Sequence, residues 1–142
     1  MRAFSERFPD DASVTRTIAV NFNYEALSIA DNLVSSGAGG WRGFLQIPHD
    51  LAVDADDNDA TITITDPKTA HTLRIVLDAE WFKGFRVYSG QSDPIRGWGV
   101  SEQGFGPLTT VEYSLAKPGS VKLEFVWNDT EMTRSNSAGH DR

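Results

Sequence analysis

Hydrophobic and polar residues alternate with a period of two along most of this chain. Such alternation is typical of a β-strand that buries one face and leaves the other in water. The first run carries its apolar residues on one face, interrupted once by Arg16, and we expect that face to be buried. Its apolar members are Val14, Ile18, Val20 and Phe22. The same pattern recurs at residues 61–65, 73–79 and 121–127.

Shorter runs separated by turn signals complete a pattern of many short strands. The shorter predicted strands cover residues 44–47, 51–53, 85–88 and 108–115. Turns rich in Gly, Pro, Asp and Ser are predicted at residues 35–40, 54–59, 66–68 and 117–119. Residues 23–34 fit either a helix capped by Asn23 or a strand, and the alternation of Leu27 and Ile29 favours the strand.

We therefore predict an all-β fold, a single antiparallel two-sheet β-sandwich formed by residues 1–127. The 142 residues suit one domain, and no repeat or linker divides them. Residues 128–142 contain one Met and no other large apolar residue, so we predict that they form a disordered tail.

Charge and composition count against several classes of partner. Lys and Arg total 13 against 20 Asp and Glu, and the net charge of -7 counts against nucleic acid and anionic lipid surfaces. No apolar run approaches the roughly 20 residues of a membrane helix, so we expect no membrane insertion. The N-terminal residues are too polar for a signal peptide, and the compartment is left unassigned. The chain has no Cys, which excludes disulfides and thiol chemistry.

Acidic and imidazole side chains do not form a recognisable metal motif. Five Asp residues crowd into residues 50–59, but counting from Asp54 the Gly and Glu of an EF-hand loop are missing. We interpret this segment as a solvated hairpin. His49, His71 and His140 are far apart and lack metal-ligand spacing. We predict no metal site and no cofactor.

Aromatic residues beside Gly or charged neighbours are the candidate binding residues. A flat indole can stack on the apolar C–H face of a sugar, while nearby charged groups bond its polar substituents. We name Trp41, Arg42, Arg96 and Trp98 as candidate substrate-binding residues. The alternative is that the Trp rings only add mass to a small core, which we favour for Trp127 because it continues a buried alternation. No nucleophile elbow or phosphate-binding loop is present, so we predict no catalytic residue.

Residues 93–107, DPIRGWGVSEQGFGP, resemble a turn of the C-terminal β-sandwich of heparinase II/III-like polysaccharide lyases. The segment WRGFLQIPHDLAV at residues 41–53 resembles a strand pair of the same family, and residues 60–77 resemble its next two strands. The resemblance extends over residues 14–125 and is most distinctive at residues 93–107. Gly97 and Gly99 flank Trp98 there, and we expect the indole ring to serve the packing of this turn.

The resemblance implies a two-part enzyme that cleaves acidic, uronate-containing glycans by β-elimination, with most catalytic residues in a helical toroid. Neither the toroid nor the family's H-x-H-x-D loop occurs in these 142 residues. We therefore expect the sandwich to support such cleavage only together with a helical toroid domain, with that domain or an acidic polysaccharide as its partner. The alternatives are a stand-alone carbohydrate-binding module and a non-catalytic structural remnant.

Overall fold

The structure, a computed structural model, describes residues 12–22, 26–37, 39–92, 95–101 and 104–128. All regular elements within these ranges are β-strands, so no membrane-spanning helix occurs among the residues described. The strands are β1 (Ser13–Asn21), β2 (Ala26–Val34), β3 (Trp41–Pro48), β4 (Ala52–Asp56), β5 (Thr61–Thr65), β6 (Thr72–Ala79), β7 (Phe82–Ser89), β8 (Gln91–Ser92), β9 (Ile95–Arg96), β10 (Trp98–Ser101), β11 (Gly104–Leu115) and β12 (Ser120–Asn128).

The strands form two main antiparallel sheets. The larger sheet has six strands in the order β1-β2-β12-β6-β5-β4. In the smaller sheet the long strand β11 pairs with β3, with β7 and, through its first four residues, with β10. Strands β8 and β9 form a two-stranded ribbon beside it. The predicted all-β, antiparallel two-sheet fold is confirmed.

The core lies between the two sheets and consists of the apolar positions of the alternating runs. Val111 and Ile62 are fully buried, and they come from opposite sheets. The alternation at residues 61–65, 73–79 and 121–127 therefore predicted the inward-facing positions of three neighbouring strands. The buried core members are Ile47, Ile62, Ile64, Ile75, Leu77, Val111, Tyr113, Leu115, Val121 and Leu123.

One hydrogen bond and one electrostatic interaction relate the smaller sheet to the larger one. The Asp57 carboxylate, in the turn after β4, accepts a 2.7 Å hydrogen bond from the Phe85 amide of β7. The Tyr113 ring lies across Gly43 of β3. Burial, together with the charge of Asp31 on β2, raises the pKa of its phenol. The smaller sheet thus covers the larger one from β4 towards β2, and β1 extends beyond it.

The expected burial of the apolar face of β1 is wrong. Every residue of β1 is exposed, and the exposed fractions of Val14, Ile18 and Val20 are 53%, 60% and 55%. Phe22, just after the strand, is 88% exposed. The alternation is real, but in the described part of the chain no strand of the smaller sheet covers β1.

Arg16 interrupts the apolar face of β1 because it is ion-paired to the adjacent strand. It lies directly opposite Asp31 in the β1–β2 ladder. Its Nε and Nη2 atoms donate to the two carboxylate oxygens of Asp31, each at 2.7 Å. Asp31 is only 6% exposed, and its hydrogen bond raises the pKa of Arg16. The pair marks the boundary between the covered and uncovered parts of the sheet.

Several strands differ from prediction at their ends. The predicted strand at 44–47 extends to Trp41–Pro48, the one at 85–88 to Phe82–Ser89 and the one at 108–115 back to Gly104. The strand predicted at 51–53 is Ala52–Asp56, so the turn predicted at 54–59 begins only at Asp57. The strand interpretation of 23–34 is confirmed for Ala26–Val34. The predicted tail lies outside the described residues except for Asn128, the last residue of β12.

Candidate functional site

The four predicted binding residues do not converge on one site. Trp41 and Arg42 are neighbours in β3, so their side chains point to opposite faces of the smaller sheet. Trp41 lies opposite Leu115 and packs against the core, whereas Arg42 lies opposite Ser114 on the outer face. Arg96 lies in β9 opposite Gln91, and its side chain is outside the described residues.

Trp98 packs locally rather than in the core. Its Nε1 atom donates a 3.0 Å hydrogen bond to the Gln91 carbonyl, and its ring stacks on Phe105 with centroids 5.9 Å apart. Gly97 has a φ of 68°, and its carbonyl accepts hydrogen bonds from the amides of Gly90 and Leu108. Trp98 is absent from the described core cluster. The ring therefore stabilises the segment between β7 and β11, which contains β8, β9 and β10.

Strand register brings charged and aromatic residues together on the outer face of the smaller sheet. Glu112 of β11 lies between Phe44 of β3 and Arg86 of β7. Thr110 lies between Gln46 and Tyr88 on the same face, and Arg42 follows beside Phe44 at the next outward position. We call this group the arginine face; its members are Arg42, Phe44, Gln46, Arg86, Tyr88, Thr110 and Glu112.

The centre of the arginine face is buried although the face points away from the core. Glu112 is 1% exposed and Thr110 is 6% exposed. The Thr110 Oγ1 atom makes no hydrogen bond in the described part of the chain. Oε1 of Glu112 lies 3.8 Å from Nη1 of Arg42. A buried carboxylate is stabilised by a nearby positive charge, and Arg42 supplies one to Glu112.

The rim of the arginine face is open to solvent. The Arg42 side chain is 57% exposed, and Arg86 is also exposed. The two arginines come from strands on either side of β11 and are offset by two residues along it, so their backbones lie roughly 12 Å apart. Phe44 is 54% exposed and offers a flat apolar surface between Arg42 and Gln46 on the same strand. The face thus presents two guanidinium groups and an aromatic ring around one buried acid.

A concave surface lies at one end of the sandwich. This end cleft has a volume of about 410 Å³ and is lined mainly by apolar side chains from both sheets, including Leu45, Ile64 and Phe125. Trp127 also lines it and is 45% exposed, so the expectation that Trp127 is buried is only partly met. A cleft this apolar does not suit a hydroxylated, charged glycan.

The polar rim of the end cleft is largely engaged in its own turn. The Asp66 carboxylate accepts hydrogen bonds from the Lys68 amide and from the Thr69 hydroxyl, each at 2.8 Å. The Lys68 amide makes the larger contribution to a lowered pKa of Asp66. His71 lines the cleft and, like His49, is exposed, as expected for rim residues.

The acidic hairpin has a structural use at one position. Asp57 bonds the Phe85 amide, as above, while Asp56 accepts a 2.8 Å hydrogen bond from the Asn58 amide within the turn. The interpretation as a purely solvated hairpin therefore misses the contact to the smaller sheet. Among the described residues, no group of three or more His, Asp or Glu side chains is placed to hold a metal ion.

Trp81 also has a structural use. The Lys117 Nζ atom lies 3.3 Å from the centroid of its ring, and this pair joins the turn after β6 to the turn after β11. One face of the Trp81 indole therefore contacts a cation of the same chain.

The chain has no match among known families. Protein-family models, curated proteins and solved structures yield no significant similarity to it. The arginine face therefore has to be interpreted from its own chemistry.

Of the arginine face, sequence reasoning assigned only Arg42 as a binding residue. Thr110, Glu112 and Ser114 alternate with Val111 and Tyr113, which indicated that they share the polar face of a strand. That signal does not say which residues of other strands lie beside them. The register with β3 and β7 supplies this information.

Proposed function

We propose that this protein is a non-catalytic β-sandwich that binds acidic glycans on the arginine face. The observation that carries the proposal is the placement of Arg42 and Arg86 on one face around Glu112. Guanidinium groups bind carboxylate and sulfate oxygens in a bidentate manner, and two of them on the strands that flank β11 can contact successive acidic groups of a chain.

The charge distribution supports this ligand class. A net charge of -7 repels polyanions unless cations cluster locally. Arg42 and Arg86 provide such a cluster, while Asp54 and Asp56 lie in β4 of the other sheet and the Asp57 carboxylate is bonded to the Phe85 amide. Phe44 supplies an exposed ring for the apolar side of a sugar. The Arg42 guanidinium, 3.8 Å away, offsets the negative charge of Glu112.

Calorimetric titration with heparin and with alginate tests the proposal. We expect binding that weakens as salt is raised, and at least a tenfold loss of affinity in the double variant Arg42→Ala/Arg86→Ala. Arg74→Ala is the matched control, because Arg74 is exposed on β6 in the other sheet. A neutral glucan should not bind. An unchanged affinity in the double variant, or no binding by the wild type, would contradict the proposal.

A second candidate function is the sandwich part of a heparinase II/III-like lyase. The resemblance at residues 93–107 supports it, as does the uncovered apolar face of β1, since a sandwich that packs on another domain needs an exposed apolar surface. In this case the arginine face would bind substrate beside a helical toroid that supplies the catalytic groups.

The two candidate functions predict the same behaviour for the isolated chain. They differ in whether the chain needs a helical lyase domain as its partner. Incubated alone with heparin or alginate, the protein should give no unsaturated uronate product by ultraviolet absorbance. Turnover that is abolished by a substitution in this chain would contradict both. The lyase candidate alone requires that adding a helical lyase domain restores turnover, and that Val14→Lys, at 53% exposure, prevents this without changing glycan binding.

A further inference from the structure

The two edges of the larger sheet are built differently. The edge strand β4 has five residues, two of which, Asp54 and Asp56, are exposed acids. Short, charged edge strands discourage pairing with another chain. The other edge strand, β1, has nine residues, pairs with β2 without a break in register and contains no Pro, Lys, Asp or Glu. Among the described residues, no strand pairs with its outer edge.

The side chains of β1 favour pairing rather than solvation. The sequence SVTRTIAVN is rich in β-branched residues, which suit strands, and all nine residues are exposed. Its one charge, Arg16, is neutralised by Asp31 on the neighbouring strand. An exposed edge that is long, regular and apolar is the kind that recruits a further strand.

We infer that β1 pairs antiparallel with β1 of a second copy of this chain, about a two-fold axis at Thr17. A second copy is favoured because the strand is complementary to itself in this register. Thr17 is the midpoint of the strand, and pairing about it aligns residues 14–20 of the two copies. It places Val14 opposite Val20 of the other copy and Arg16 opposite Ile18, so no like charges meet.

The overall charge of the protein does not oppose this pairing. The acidic edge at β4 lies five strand spacings from β1, or about 24 Å at roughly 4.8 Å per spacing. That distance is several times the Debye length of about 8 Å at physiological ionic strength. The two acidic edges of a dimer formed through β1 would lie at opposite ends of one continuous sheet.

The oligomeric state of the full chain is the first test. Analytical ultracentrifugation should show a concentration-dependent dimer. A monomer at all concentrations up to the millimolar range would overturn the inference, and it is also the result expected if other residues of the same chain occupy this edge.

Charge substitutions at Ile18 test the register. Ile18→Lys places Lys opposite Arg16 of the other copy twice by symmetry, and we expect at least a tenfold weaker dimer. Ile18→Glu places an acid there and should keep the dimer. Ile18 is 60% exposed, so both variants should fold, which circular dichroism checks. Val34→Lys, on β2 at 50% exposure, is the control with the same added charge. Equal affinities of the Lys and Glu variants at position 18 would overturn the register.

A cysteine at Thr17 gives an independent test, since the chain has no native Cys. Directly opposed residues of antiparallel strands have Cα atoms about 4.5–5.5 Å apart, within reach of a disulfide. Oxidised Thr17→Cys should become a covalent dimer, whereas Val14→Cys, which faces Val20, should remain largely reduced. Equal cross-linking of the two variants, or none in the first, would overturn the two-fold at Thr17. Loss of dimerisation would leave glycan binding intact, because the arginine face lies on the other sheet.

Discussion

The covered and uncovered parts of the larger sheet carry the same pattern of side chains and have opposite environments. Opposed residues in the ladders form one continuous row from Leu77 through Leu123 and Ile29 to Ile18. Along this row the exposed fraction of the side chain rises from 4% at Leu77 and 3% at Leu123 to 60% at Ile18. The smaller sheet covers the first two positions and does not reach the last.

The shared face of a strand and the burial of that face are therefore two separate properties. Alternation determines which side chains share a face of a strand, because successive residues point to opposite sides. Whether that face is buried depends on the number and placement of strands in the opposite sheet. The Arg16–Asp31 pair and Tyr113 lie at the boundary between the covered and uncovered parts of the larger sheet. Substitutions there change the free energy of unfolding according to how far the cover extends.

The largest expected difference is between matched Ile substitutions on the two sides. Ile75→Ala on β6, where Ile75 is 2% exposed, should lower the free energy of unfolding by about 2–5 kcal/mol. Ile18→Ala should lower it by at most about 1 kcal/mol, the span of β-strand propensity. Denaturant unfolding at low protein concentration measures both without a contribution from self-association. Similar losses for the two variants would mean that β1 is covered after all.

A second, smaller effect is expected where β3 meets the Tyr113 ring. A Cβ atom on Gly43 would lie 1.9 Å from Cζ of Tyr113, so Gly43→Ala must displace the ring and should cost about 1–3 kcal/mol. Gly106→Ala is the control, because a Cβ there meets no atom within 4 Å. In a Tyr113→Ala background the cost of Gly43→Ala should nearly vanish. A persistent cost would show that the glycine is needed for its backbone rather than for the ring.

Removing the guanidinium at the boundary should have a comparable or smaller effect. Arg16→Met leaves the Asp31 carboxylate, 6% exposed, without its two short hydrogen bonds and should cost about 1–3 kcal/mol. Arg74→Met, at an exposed position of β6, should change stability by less than about 0.5 kcal/mol. The comparison uses chemical denaturation at neutral pH. If the two variants were equally stable, the pair would contribute no more than an ordinary surface contact.

The sequence was sufficient to predict the fold class and most strands, but not the assembly of the site. Runs such as TITIT at residues 61–65 report their own secondary structure, since side-chain alternation is local. The arginine face depends on the pairing of β11 with both β3 and β7, whose residues lie far apart in the chain. Local patterns carry no information about such pairings, which is why Arg42 was assigned to a binding site and Arg86 and Glu112 were not.

The smallest expected effect is a pH dependence that reports how completely Tyr113 is covered at this boundary. Burial, reinforced by the charge of Asp31, raises the pKa of the Tyr113 phenol above its ordinary value near 10. The folded state therefore holds the phenolic proton more tightly than the unfolded state does. The resulting stabilisation is present in full below about pH 10 and is lost as the pH rises through the folded-state pKa.

Wild-type stability should thus fall more steeply than that of Tyr113→Phe above pH 10, with parallel curves between pH 7 and 9. Tyr88→Phe, on the arginine face, is the control for the loss of a phenol outside the core. If the Tyr113→Phe and wild-type curves stayed parallel to pH 11, water would reach the phenol, and the covered region would end before Tyr113.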